Sequence, residues 1–149
     1  LRIGVGIIVV NNQNKVFVAK RIDNSKNFWQ MPQGGVNDGE DFLVAAHREL
    51  EEETSIKEVE LIKEINGTTT YELPDHLLGL IWKGKYRGQK QKWFLMRYLG
   101  SDKDINIKTK KPEFLEWKWI DLSMITDVVV DFKLHVYTEL KEKVEQIIN

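Results

Sequence analysis

The sequence predicts an α+β domain, a mixed β-sheet carrying one internal helix and one terminal helix. Three observations predict it. Runs rich in β-branched and aromatic residues recur along the chain, at Ile3–Val10, Lys15–Lys20, Val59–Ile65, Thr68–Leu73, Lys92–Leu99 and Trp117–Ile120. Between the second and third runs, Asp41 to Thr54 places Leu43, Ala46 and Leu50 at spacings of three and four, the period of a half-buried helix. The tail repeats that period with Phe132, Val136, Leu140, Val144 and Ile147, against Lys133, Glu139, Lys141, Glu142 and Glu145 elsewhere on the wheel. Propensity alone leaves α+β and an α/β sandwich both open.

Each element has its local reason. Asn11-Asn12-Gln13-Asn14 is turn chemistry, so the first two strands read as a hairpin. In the second strand Val16, Val18 and Lys20 share one side, Phe17 and Ala19 the other. Residues 21–40 carry Pro32, Gly34, Gly35 and Gly39 and cannot form one regular element. Asp38 or Asp41 is suited to cap the helix that follows, because the first amides of a helix lack partners and its N-terminal end is positive.

Composition bounds the function. The chain has 149 residues and 17.5 kDa, the size of a single domain spanning 1–149, and no linker or repeat divides it. It has no cysteine, which excludes disulfides, thiolate metal sites and cysteine nucleophiles. A net charge of −1 argues against an extended nucleic-acid footprint. The longest apolar run, Val5–Val10, is too short to cross a bilayer, and no signal-peptide pattern opens the sequence; a cytoplasmic protein is the expectation. A monomer is favoured.

The chemistry concentrates at Arg48-Glu49-Leu50-Glu51-Glu52-Glu53. With Glu49 as origin, Glu53 falls near +40° and Glu52 near −60°, so three carboxylates share an arc of roughly 100°. Leu50 and Ala46 place that stripe beside the core face, while His47 points away from it. Such like charges repel on a bare helix, and a divalent cation offsets the repulsion. Oxygen donors without sulfur or a histidine cluster suit Mg²⁺, with Mn²⁺ as a substitute. A solvated Glu-rich face is the alternative for the cluster taken alone. Ahead of the helix runs Gly34-Gly35-Val36-Asn37-Asp38-Gly39-Glu40, where bare backbone can approach a metal–phosphate complex.

Loop and helix together resemble the Nudix box, G-x5-E-x7-R-E-U-x-E-E-x-G-U with U aliphatic. Gly34, Glu40, Arg48, Glu49, Leu50, Glu52, Glu53 and Ile56 fall in place. Ser55 stands where the pattern has glycine, and a serine in left-handed backbone there carries an expected cost of about 1 kcal/mol. Further segments resemble the bacterial RNA pyrophosphohydrolase or dinucleoside polyphosphate hydrolase branch of that family: Trp29–Gly35, Gly88–Phe94, Pro112-Glu113-Phe114 with Trp117 and Trp119, and Val130–Lys133.

The resemblance implies a Nudix-like α/β/α sandwich and hydrolysis of a pyrophosphate bond, in 5′-triphosphorylated RNA ends, in dinucleoside polyphosphates, or in both. It implies metal binding by Glu49, Glu52, Glu53 and Glu113 with the Gly34 carbonyl, a general base in Glu53 or Glu113, and Arg48 as the residue that orients the carboxylates. It implies phosphate contacts from Arg2 and Arg21, a nucleobase stacked on Phe132 beside Val130, and substrate contacts from Gln33, Gly35 and Lys133. The segment 83–92 holds Lys83, Lys85, Arg87, Lys90 and Lys92 without an acid, interleaved with Trp82, Tyr86 and, just beyond it, Trp93. That pattern suits phosphate contact with base stacking, with Tyr86, Lys90 and Lys92 as candidates. A solvated loop leading into an edge strand is its bland alternative. The competing functions are a nucleotide-pool sanitiser or ADP-ribose hydrolase using the same box, and a non-catalytic module that binds nucleotide ends.

Overall fold

A computed structural model describes residues 1–23 and 26–148. Strand β1 (Arg2–Val10) turns at Asn11–Asn14 into β2 (Val16–Arg21), and β3 (Gln33–Gly35) leads through the glycine loop to helix α1 (Phe42–Thr54). Then come β4 (Val59–Glu64), β5 (Thr69–Glu72), β6 (Gly88–Tyr98), β7 (Phe114–Ile120), the single turn α2 (Ile125–Val128) and helix α3 (Leu134–Ile148). Among the described residues the strands form one mixed sheet in the order β4-β6-β1-β2-β7, with β3 paired to β1 and β5 paired to β6. β1 and β6 run parallel, and the other pairings are antiparallel.

Helices cover both faces of this sheet, which decides between the two architectures the sequence left open. Ala45, Ala46 and Leu50 of α1 pack on Val5, Ile7, Val9, Phe17 and Phe94. On the other face Val136, Tyr137, Leu140 and Val144 of α3 pack on Ile8, Val10, Val16, Val18 and Leu95. The alternation expected in β2 is present, yet Val16, Phe17, Val18 and Ala19 are all buried because each face meets a helix layer.

α1 begins where the sequence allowed. Asp41 is the cap, its Oδ2 accepting from the Val44 amide at 3.2 Å. It ends at Ser55, which takes φ 66° and ψ 7° while its amide donates to Glu51 O at 2.9 Å. The serine hydroxyl donates to Asn106 O at 2.8 Å, a partner that a glycine would lack. Three expectations need correction. β6 is an interior strand, flanked by β1 on one side and by β4 and β5 on the other, and so not an edge. It also starts at Gly88, because residues 88–91 pair with Glu72 to Thr69 of β5, and Gln89 and Gln91 are buried despite their polarity. Phe132 lies in a 3-10 turn (Asp131–Lys133) ahead of α3, so the buried stripe of the helix starts at Val136.

Candidate active site

The site forms where β3 and the glycine loop meet the side of α1 facing the sheet. β3 pairs with β1 in the register Gly4–Gly35, Val5–Gly34 and Gly6–Gln33. Gly34 is required by close approach: a Cβ there would lie 2.1 Å from Glu49 Cδ. At Gly35 it would lie 2.4 Å from a guanidinium nitrogen of Arg2. The bare backbone thus sits between an acidic and a basic side chain.

Arg48 organises the helix side. Its Nε and Nη2 donate to the two carboxylate oxygens of Glu40 at 2.8 and 2.9 Å, and Nη2 also reaches Gly35 O at 2.9 Å. Nη1 donates to Glu49 Oε1 at 2.8 Å and to Glu52 Oε2 at 3.3 Å. One planar fork therefore ties the loop to the carboxylate stripe. Hydrogen bonds from Arg48, then from the Asn37 amide, lower the Glu40 carboxyl to about 2.

Glu53 differs from its neighbours. It is only 4% exposed, and its Oε2 is buried without a hydrogen-bond partner. Burial first, then the charges of Glu113 and Glu49, push its carboxyl well above the usual range. Glu49 is raised as well, chiefly by burial, with Arg48 opposing. Glu52 is exposed on the outer side of the stripe.

Glu113 reaches this group from far along the sequence because of a sheet irregularity. The β2–β7 register shifts between Lys20 and Arg21, pairing Lys20 with Glu116 and Arg21 with Phe114, so Leu115 is the extra residue on β7 and Glu113 is drawn one place along. The Ile22 amide then donates to Glu113 O at 2.9 Å, and Arg21 Nη1 stands 3.8 Å from Glu113 Oε2. Arg21 also forks onto both oxygens of Asp23 at 2.9 Å, a bond that raises its own pKa.

The donor set is all oxygen, and the orphaned Glu53 Oε2 is the atom such a set leaves for a hard cation. As the side chains lie, no three His, Asp or Glu residues among those described stand close enough together to hold an ion. Arg48 holds Glu49 Oε1 and Glu52 Oε2.

Two further groups adjoin the carboxylates. Arg2, Gly35, Asp38, Glu49 and Tyr86 line a cleft of about 240 Å³. Within it the Arg2 guanidinium stacks 5.2 Å from the Trp82 ring centre. Deeper in lies a polar cluster. Gln89 Oε1 accepts from Tyr71 Oη at 3.1 Å, Gln33 Nε2 at 3.2 Å and Gln91 Nε2 at 3.0 Å. Lys133, buried, donates to Gln33 Oε1 at 3.3 Å and Gln30 Oε1 at 3.4 Å. Its ammonium lies 5.1 Å from the Tyr71 ring and 6.0 Å from that of Phe132. Desolvation, then the Arg21 charge, lower its pKa to about 7.

The structure thus gathers Arg48, Glu49, Glu53, Glu113 and Arg21, and next to them Arg2, Gln33, Gly35, Tyr86, Phe132 and Lys133. It does not bring Lys92 or Lys90 there. Lys92 is spent on Ile65 O at 2.7 Å and Gly67 O at 3.1 Å, and Lys90 is exposed on the same side of β6. Val130 packs against the core. Sequence reasoning missed Tyr71, Gln89 and Gln91 as site residues. The two glutamines had a signal, since residues two apart on a strand share a face; Tyr71 had none.

A model of the NUDIX domain matches residues 1–140. The chain belongs to the Nudix family. Its relatives include the RNA pyrophosphohydrolase of Pelagibacter ubique (strain HTCC1062), 74% identical over all of this chain and 94% of that protein. The RNA pyrophosphohydrolase of Sphingopyxis alaskensis is 49% identical over 93% of this chain and 89% of that one. Among solved structures, the E. coli dihydroneopterin triphosphate pyrophosphohydrolase superposes with a TM-score of 0.72 at 22% identity, covering 98% of this chain and 94% of its own. That last likeness carries the Nudix fold alone. Nudix enzymes generally use divalent metal ions. None of the helices described is long and apolar enough to cross a membrane.

Proposed function

We propose that this Nudix protein is an RNA pyrophosphohydrolase, cleaving a pyrophosphate bond at 5′-triphosphorylated RNA ends in the cytoplasm with Mg²⁺. The observation that carries the reading is Glu53, buried beside Glu49 and Glu113 with its Oε2 left without a hydrogen-bond partner, near the bare Gly34 backbone. A hard cation bound there would offset the desolvation of this carboxylate. The identity with RNA pyrophosphohydrolases over the whole chain supports the substrate class.

Bound there, a divalent ion neutralises phosphate charge and lowers the pKa of water, giving a nucleophile near neutral pH. Glu49, Glu52, Glu53 and Glu113 with the Gly34 carbonyl are the residues that would hold it. Arg48 keeps Glu40, Gly35, Glu49 and Glu52 in register. Glu53 or Glu113 would take the water proton. Arg2 and Arg21 face the phosphate chain, Lys133 and Gln33 its inner end, and Phe132 the base.

The test is product analysis with Mg²⁺ on RNA bearing a labelled 5′ triphosphate and, in parallel, on diadenosine tetraphosphate. Faster pyrophosphate release from RNA is the expected result. Faster formation of ATP from the dinucleotide would instead assign the protein to polyphosphate clearance. Turnover of neither substrate would leave a binding module.

A further inference from the structure

Away from the carboxylates, at the outer edge of β7, lies an open cleft of about 810 Å³. Its walls include Trp29, Lys108, Leu115, Glu116, Trp117 and Lys118. It is continuous with the reaction site along the chain: Leu115 follows Glu113 by two residues, and Lys108-Thr109-Lys110-Lys111 leads directly into Pro112-Glu113. The sheet order ends at β7, so that strand presents its unpaired backbone edge to the cleft.

Around this cleft lie exposed cations without a counter-charge. Arg21 is paired with Asp23 and Glu113, Lys92 with Glu64, and Arg48 with Glu40, Glu49 and Glu52. By contrast the side chains of Lys108, Lys110 and Lys111, all exposed, make no ion pair or hydrogen bond among the described residues. Lys118 Nζ rests 4.1 Å from the centre of the Trp29 ring, on a π face and not on an acid. The acid of the cleft wall, Glu116, is already taken by Lys20 at 3.5 Å. Leu115 adds an apolar side chain that is 60% exposed, next to the half-buried ring of Trp117. Lysines beside an exposed apolar side chain suit a single-stranded nucleic acid, phosphates on the lysines and bases against Leu115 and the partly exposed Trp117, whose ring also stacks on Phe17 at 5.5 Å.

We propose that this cleft holds the single-stranded RNA that follows the triphosphorylated end, with Lys108 and Lys118 contacting its phosphates and Leu115 and Trp117 its bases. The inference rests on the RNA reading above and extends it: the reacting end lies among the carboxylates, and the body of the strand runs past Glu113 onto the β7 edge. A dinucleoside polyphosphate has no such body, so the cleft favours RNA over dinucleotides. A peptide strand added to the β7 edge is the competing occupant. The rim of uncompensated lysines argues for the polyanion, since an added strand is recognised through alternating side-chain pockets.

The experiment compares the native protein with a Lys108→Gln/Lys118→Gln variant on two triphosphorylated RNAs, a dinucleotide and an octanucleotide. Binding of a 5′-hydroxyl octanucleotide is followed by fluorescence anisotropy alongside. The dinucleotide is too short to reach the cleft and reports the fold and the reacting groups. The expected result is unchanged kcat/KM on the dinucleotide and a raised KM on the octanucleotide. The slope of log KM against log salt for the octanucleotide should fall by about 1.4, two lysines at about 0.7 each on a single strand. The 5′-hydroxyl octanucleotide should bind the variant more weakly, whether or not either RNA is hydrolysed. Equal losses on both lengths, or an octanucleotide bound and cleaved as by the native protein, would overturn the proposal; the latter would leave the edge to a protein partner. If the native protein cleaves no RNA, the reading of its reaction fails separately, and the anisotropy result still decides the cleft.

Discussion

Arg48 and Glu40 lie fork to fork, with two charge-assisted hydrogen bonds of 2.8 and 2.9 Å joining the helix to the loop that precedes it. Eight residues separate them in the chain, and the pair fixes where the Gly34–Gly35 backbone sits relative to the carboxylate stripe. Lysine cannot reproduce a planar fork with five donors. Arg48→Lys should therefore lose about 1–2 kcal/mol of stability and at least about tenfold in kcat, because the loop and Glu49 lose their shared anchor. Chemical denaturation and steady-state kinetics check the two parts. Unaltered kcat would show that the fork is structural only.

The same pair sets an acid limb. The folded-state Glu40 carboxyl titrates at about 2, below its ordinary 4.5, so its contribution is complete above about 4.5 and is lost as pH falls toward 2. Melting temperatures of the native protein and Glu40→Gln, followed between pH 6 and pH 2, should converge at the acid end. A constant gap would contradict this assignment.

Glu53 has the opposite sign. Its carboxyl is raised in the folded state, so the metal-free protein is favoured at low pH and penalised as pH rises above the ordinary carboxyl range. Metal-free Glu53→Gln should melt above the native protein at pH 8, and the advantage should shrink toward pH 4. Adding Mg²⁺ should stabilise the native protein more than the variant. A variant less stable than native at pH 8 without metal would mean that the buried carboxylate already has a partner.

Much of this site was legible in the sequence. The spacing of Glu49, Glu52 and Glu53 on one arc beside Leu50 and Ala46 predicted a stripe bordering the core, and Glu53 is buried there while Glu51 and His47 are exposed. What was not legible depends on long-range pairing. The lysines of β6 read as one basic group, but strand alternation turns Lys90 and Lys92 to one face and Gln89 and Gln91 to the other. Only the packing of β6 between β1 and β5 shows which face meets Lys133. Glu113 needed the register shift at Arg21, which no local pattern announces.

Ser55 offers a test of local geometry. Its left-handed backbone costs about 1 kcal/mol, and the bond from its hydroxyl to Asn106 O returns about as much. Ser55→Gly, which removes both, should change stability by less than about 0.5 kcal/mol, whereas Ser55→Ala, which keeps the strain and loses the bond, should lose about 1 kcal/mol. Urea denaturation of the three proteins gives the order; alanine equal to serine would mean the hydroxyl bond contributes nothing.

Lys133 is buried with its pKa lowered to about 7 from 10.5. The unfolded chain then holds the proton more tightly, so stability should rise with pH from about 7 to 10.5 and fall back as pH drops through that window. Lys133→Met should abolish this slope, match or exceed native stability at pH 7, and raise KM for the triphosphorylated end. A denaturation series between pH 6.5 and 10 in both proteins reads the slope directly. Parallel curves would show that the amine is not desolvated.

The measurement closest to the central claim is the rate of pyrophosphate release from triphosphorylated RNA as a function of Mg²⁺ concentration, in the native protein and in Glu53→Gln. In the native protein the rate should vanish without metal and saturate with it. In the variant the rate at saturating metal should fall by at least about 100-fold, the scale of a lost metal-holding or proton-accepting carboxylate. Equal rates in the two proteins, or release that does not depend on the metal, would contradict the assignment of this carboxylate group as the seat of the reaction.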